Sequence, residues 1–130
     1  MDRRRVGLWA TLLFAAAAAV GVLLQVFFIG AVVFGESDAL DTHKDLGKLV
    51  HLTYVLTFVS ALVAVWPEWR SAAWPFALAA LGTVQAFLAG GDASPWVHAF
   101  HAALVPIVFV IALRIAMRTK DALGLDGSSA

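Results

Sequence analysis

The stretch VGLWATLLFAAAAAVGVLLQVFFIGAVVF, residues 6–34, carries no charge and a single amide, Gln25. Arg3, Arg4 and Arg5 precede it, so its opening resembles a secretory signal. A signal's apolar core is roughly 7–15 residues long, however, and this run is about 29. It reads as a retained transmembrane helix that starts in the interface and crosses a hydrocarbon layer of about 30 Å with some tilt.

Three further apolar runs follow, Leu46–Trp66, Trp74–Ala89 and Trp96–Met117. With their first turns included, the predicted helices span 6–34, 40–66, 72–89 and 95–117, with a polar tail over 119–130. The connections GESDALDTHKD, PEWRSAA and GGDASP are too short to form a domain, so consecutive helices must be antiparallel neighbours. The expected fold is all-α, one domain over residues 1–130: an integral-membrane, up-down four-helix bundle.

Composition agrees. Of 130 residues, 62% are hydrophobic and 14% charged, against roughly 25% charged in soluble domains. Net charge is zero, so no basic field recruits nucleic acid; the first partner is the lipid bilayer. Cysteine is absent, which removes disulfides, thiolate metal sites and iron–sulfur clusters together. Any cofactor must be held by histidine, carboxylate or shape.

Arg3, Arg4, Arg5, Arg70, Arg114, Arg118 and Lys120 fall at one end of this bundle. Lys44 and Lys48 share the other end with Glu36, Asp38, Asp41, Asp45 and Asp92. The positive-inside rule then puts both termini in the cytoplasm; the expected setting is a bacterial cytoplasmic membrane, as for the bacterial proteins that the chain resembles below. Trp9, Trp66, Trp69, Trp74 and Trp96 lie near predicted helix ends, as interfacial anchors do. Pro106 is expected to kink the fourth helix.

The sequence repeats weakly. LLQVFFIGAVVFG in the first helix is matched by TVQAFLAGG in the third, and each is followed by an acidic loop and a helix with histidine near its start, DTHKDLGKLVHL and PWVHAFHAALVP. Two hairpins related by a pseudo-two-fold axis along the membrane normal would put the histidine-bearing helices across the bundle from each other.

Polar groups at membrane depth need a partner or a purpose. Thr11, Thr53, Thr57, Ser60 and Thr83 are expected to bond their own helix backbones. That leaves Gln25, Gln85 and the four histidines. At about 1.5 Å per residue from the predicted helix starts, His43 and His98 lie one turn in and His101 nearly two. His51 is about 16 Å deep and Gln25 about 15 Å. Depth therefore pairs His51 with Gln25, and His43 with His98 or His101.

Two histidines level with each other on parallel helices, among Phe, Leu and Ala, suit axial ligation of haem by neutral imidazole. His43, Gly47 and His51 form one stripe, and the glycine leaves a hollow for close helix packing or for a planar macrocycle. Lys44 and Lys48 are placed to meet propionates. The candidate cofactor residues are thus His43, Gly47, His51, His98 and His101, with His51 also read as a structural partner of Gln25 or the Tyr54 region. Aligning the two halves on their LV pairs favours His98 as the partner ligand. A zinc site fits less well, since zinc wants a compact tetrahedral set.

The segments LQVFFIGAVVFG, HKDLGKLVHL and GTVQAFLAGGDASPWVHAFHAALVPIVFVIAL resemble one four-helix half of the haem A synthase family over about residues 18–115. That family shows Gln-Val-hydrophobic-hydrophobic-Gly, then His-Arg-x-x-Gly, then a proline-anchored histidine. Small bacterial four-helix membrane proteins of uncharacterised function share the pattern. The resemblance implies His43, followed by Lys44 and Gly47, as one axial ligand and His101, six positions after Pro95, as the other. The family's oxidising half carries a glutamate shortly before the second-helix histidine, where this chain reads SDALDTH, and the family has two halves where this chain has one. The resemblance thus implies a scaffold for haem b and not the synthase reaction; two copies would rebuild an eight-helix arrangement. The expected function is bis-histidine haem binding for electron transfer or haem handling, with an unidentified redox partner. The alternative is a cofactor-free accessory subunit of a larger membrane complex, suited by the alanine- and glycine-rich faces of the first and third helices.

Overall fold

The computed structural model describes residues 2–65, 68–90 and 94–125, with the backbone alone at Trp69. Trp66, Asp92, the end of the polar tail and the side chain of Trp69, each given a role above, lie outside the described residues. Four helices are present: α1 (Arg3–Val33), α2 (Ala39–Val65), α3 (Ala73–Leu88) and α4 (Pro95–Ala122), with a 3-10 turn at Trp69–Ala72 leading into α3. All four, counting that turn with α3, are long and apolar enough to cross a membrane.

Local chemistry sets the helix ends. The carboxylate of Asp2 accepts the Arg5 backbone N–H at 2.7 Å, so α1 starts a turn before the apolar run. It stops where Gly35 takes a φ of 109°, a conformation that costs other residues a Cβ clash. Pro95 occupies the first turn of α4, where its missing N–H matters least. At its other end α4 continues to Ala122, past the predicted limit at 117 and into residues expected to be tail. The inward row Ile111, Ala112, Ile115, Ala116 and Thr119 is buried throughout, and that helical spacing carries the helix on. Pro106 lies inside α4 without ending it.

The helices form a ring in chain order: α1 packs on α2 and α4, and α3 on the same two, while neither diagonal pair packs extensively. Small residues permit the closest approaches. A Cβ on Gly7 would sit 2.7 Å from the backbone nitrogen of Ala64, one on Gly21 would strike Val50, and one on Gly82 would enter the Tyr54 ring. Ala15, Ala18, Leu78, Val108 and Ala112 are fully buried at the centre. Outside, Phe27, Phe34, Phe87, Trp96 and Phe100 are exposed, the arrangement of a bundle whose covering solvent is lipid tails. As expected, Thr11, Thr53, Thr57, Ser60 and Thr83 each donate to a carbonyl one turn back in their own helix.

Candidate functional site

Gln25 and His43 bond each other twice. The Gln25 side-chain amide donates to the His43 carbonyl at 2.7 Å, and His43 Nδ1 lies 3.1 Å from the Gln25 carbonyl. Gln85 and His101 repeat the arrangement, with amide to carbonyl at 3.3 Å and Nδ1 to carbonyl at 2.8 Å. One clasp ties α1 to α2, the other α3 to α4.

These contacts decide the tautomer of both histidines. A carbonyl oxygen can only accept, so each Nδ1 must carry the proton and donate it. Each Nε2 is then left with its lone pair. A histidine that ligates a metal is ordinarily held in this way, its other ring N–H given to a carbonyl or carboxylate that fixes tautomer and orientation.

Helical phase fixes the direction in which the clasps face. His43 stands seven residues before Val50 and His101 seven before Val108, both buried core valines. Seven residues make nearly two whole turns, so each histidine shares the inward direction of its valine about 10 Å farther along the bundle. Gln25 and Gln85 likewise lie seven residues after Ala18 and Leu78, each with no exposed surface. Fully buried apolar packing ends at Val22, Val50 and Val108, and the two half-buried imidazoles stand just beyond it on the diagonal helices α2 and α4.

The geometry changes the pairings expected from depth. Gln25 meets His43 rather than His51, because α1 continues eight residues past Gln25 whereas α2 starts only four before His43. That difference makes α1 project about 6 Å beyond the start of α2, so counting from helix ends misjudges height. His51 instead reaches Thr83 on α3, Nε2 to Oγ1 at 3.0 Å. Since the Thr83 hydroxyl donates to the Ala79 carbonyl, His51 is the donor and its Nδ1 is the open nitrogen. His98 is exposed; the clasp that corresponds to His43 is made by His101, against the alignment of the two halves that favoured His98.

Gly47 lies against the Gln25 amide, where a Cβ would be 3.5 Å from the side-chain nitrogen. Its hollow thus serves the helix contact that carries the clasp. Lys44 and Lys48 point to solvent in ion pairs with Asp41 at 3.5 Å and Asp45 at 2.7 Å; pairs this exposed contribute about 0–1 kcal/mol. Among the described residues no three histidine or carboxylate side chains assemble into a metal-binding group. What this end of the bundle offers is two imidazoles whose Nε2 atoms the clasps leave unused, with Leu46 and Val105 packed against the adjoining core.

The chain matches a protein family across residues 25–94, more than half its length. It belongs to DUF6220, a family of unknown function. The DUF6220 match begins at Gln25 and takes in His43, His51, Thr83 and Gln85; it stops just before Pro95, so His98 and His101 lie beyond it. No curated protein and no solved structure matches the chain.

Proposed function

We propose that this DUF6220 protein binds one b-type haem between His43 and His101 in a bacterial cytoplasmic membrane, its termini in the cytoplasm, and serves electron transfer or haem handling. The observation that carries the reading is the doubled clasp, which holds each imidazole by its Nδ1–H and leaves Nε2 unused, at matching positions on the diagonal helices α2 and α4. Gln25 and Gln85 position the ligands, since their backbone carbonyls take the proton that would otherwise wander between ring nitrogens. Leu46 and Val105, packed against the edge of the core, would supply apolar contact to the haem. His43 and His101 would hold the haem, which when bound would supply a one-electron couple. Lys44 and Lys48 would have to leave their partners Asp41 and Asp45 to meet a propionate. The short motifs around Gln25, His43 and His101, read as haem A synthase-like, would imply the same cofactor.

The test is a spectrum of the purified protein expressed with haem supplied. A Soret band with split α and β bands on reduction is expected; protein that stays colourless at one equivalent of haem overturns the proposal.

One observation favours the cofactor-free accessory subunit. The clasps satisfy Gln25, His43, Gln85 and His101 within the chain, as interhelical bonds do in membrane bundles without cofactors. Co-purification with a larger complex that survives replacement of all four histidines would establish that reading.

A further inference from the structure

The end of the bundle away from the clasps holds a cavity of about 180 Å³ to which all four helices contribute. Leu8, Ala61 and Ile115 give it apolar walls; Thr11, Ser71, Thr119 and Arg118 give it polar groups. Two of its lining residues tie α1 to α2: Thr11 meets the Ser60 hydroxyl at 3.1 Å, and Ala64 packs tightly on Gly7. Trp74 stands in the wall, and the guanidinium of Arg114 lies over its ring, 5.1 Å from the centroid. Arg118 forms no ion pair among the described residues.

The surrounding charge is one-sided. Arg3, Arg4, Arg5, Arg70, Arg114, Arg118 and Lys120 gather at this end, against Asp2, Glu68 and Asp121 among the described residues. A basic pocket between transmembrane helices is the setting in which lipid headgroups are bound. The apolar walls distinguish the ligand from a free anion, for which Leu8, Ala61 and Ile115 would offer nothing.

We propose that this cavity binds an anionic phospholipid from the leaflet at the basic end, its phosphate on Arg118 with the Ser71 and Thr119 hydroxyls, its upper chain against the apolar wall. The site stands on different residues from the haem proposal and is independent of it.

The test uses the full chain in detergent, titrated with phosphatidylglycerol or with phosphatidylcholine of the same acyl chains, read by native mass spectrometry and by melting temperature. One tightly retained phosphatidylglycerol is expected, bound at least tenfold more tightly than phosphatidylcholine. Arg118→Gln should lose most of that preference and Arg118→Lys keep most of it. Arg4→Gln, which removes the same charge outside the cavity, should bind as the parent does. Ser71→Trp, which fills the cavity without changing charge, should lose the lipid while melting normally without it. Equal binding of the two lipids would overturn the proposal. So would an equal loss in Arg4→Gln and Arg118→Gln, undiminished binding by Ser71→Trp, or displacement of the lipid by millimolar inorganic phosphate.

Discussion

His43 and Gln25 each reach the other's backbone with a side chain, so a single pair of residues joins α1 to α2 through two hydrogen bonds. The two bonds differ in what a mutation removes. Gln25→Leu deletes the amide donor but leaves the backbone carbonyl that receives Nδ1–H. The expected result is therefore a melting temperature lowered by a few degrees, for a loss of about 0.6–1 kcal/mol typical of such interhelical bonds, with the bis-histidine spectrum retained. Gln85→Leu should cost less, since its amide bond is the longer, at 3.3 Å. Thermal denaturation in detergent, with a spectrum at each step, measures both effects.

Removal of the ligands should divide the histidines into two classes. His43→Ala and His101→Ala each delete one of the two proposed ligand nitrogens and should abolish the low-spin spectrum. His98→Ala removes an exposed ring and should leave it unchanged. Reduced-minus-oxidised spectra of the three variants, normalised to protein, decide the matter; a low-spin spectrum that survives His101→Ala and is lost in His98→Ala would reverse the assignment.

The number, type and order of the helices follow from hydrophobic runs and short connections alone. The doubled clasp was only partly legible. Gln25 and Gln85 head the two repeats, and the seven-residue spacings Ala18–Gln25, Leu78–Gln85, His43–Val50 and His101–Val108 mark four inward positions in the sequence. What the sequence does not contain is the relative height of the helices. α1 overshoots the start of α2, whereas six residues of α4 precede His101 and only three of α3 follow Gln85. Equal counts from helix ends thus paired the wrong residues. The cavity at the basic end was not anticipated, because Thr11, Ser71 and Arg118 meet only once the ring of helices closes.

His51 interrupts the repeat. Counted from the clasps, its equivalent on α4 is Phe109, and that of Thr83 on α1 is Leu23, so the polar pair of one half corresponds to two apolar residues in the other. His51→Phe should be tolerated, because Thr83 keeps its bond to the Ala79 carbonyl and phenyl replaces imidazole in a half-buried site. The expected change in stability is under about 1 kcal/mol, within the range of single interhelical bonds, and haem content should be unaltered. Loss of haem in a folded His51→Phe protein would make His51 part of the site.

Two glycines on the helices should respond oppositely to alanine. A Cβ at Gly82 enters the Tyr54 ring, which is buried and has no room to retreat, whereas one at Gly30 meets nothing within 4 Å. Gly82→Ala should destabilise by about 1–3 kcal/mol, as overpacking does. Gly30→Ala should be neutral or stabilise by up to about 1 kcal/mol through helix propensity. Melting of the pair in one detergent provides the comparison.

Topology can be tested without background labelling, because the chain has no cysteine. Four antiparallel helices place Ser37 and Ser94 at the clasp end, and Leu125 at the basic end with the N-terminus. Single cysteines at these positions should react with a membrane-impermeant maleimide in two groups. In intact cells stripped of their outer envelope, Ser37→Cys and Ser94→Cys should label and Leu125→Cys should not; in inverted vesicles the pattern should reverse. The charge distribution supports that orientation, since arginine and lysine near helix ends stay on the side from which insertion occurs. Labelling of Leu125→Cys alone in the intact cells would invert the protein and move the clasps to the cytoplasmic half. A split between the two hairpin loops, Ser37 on one side and Ser94 on the other, would contradict the four-span fold itself.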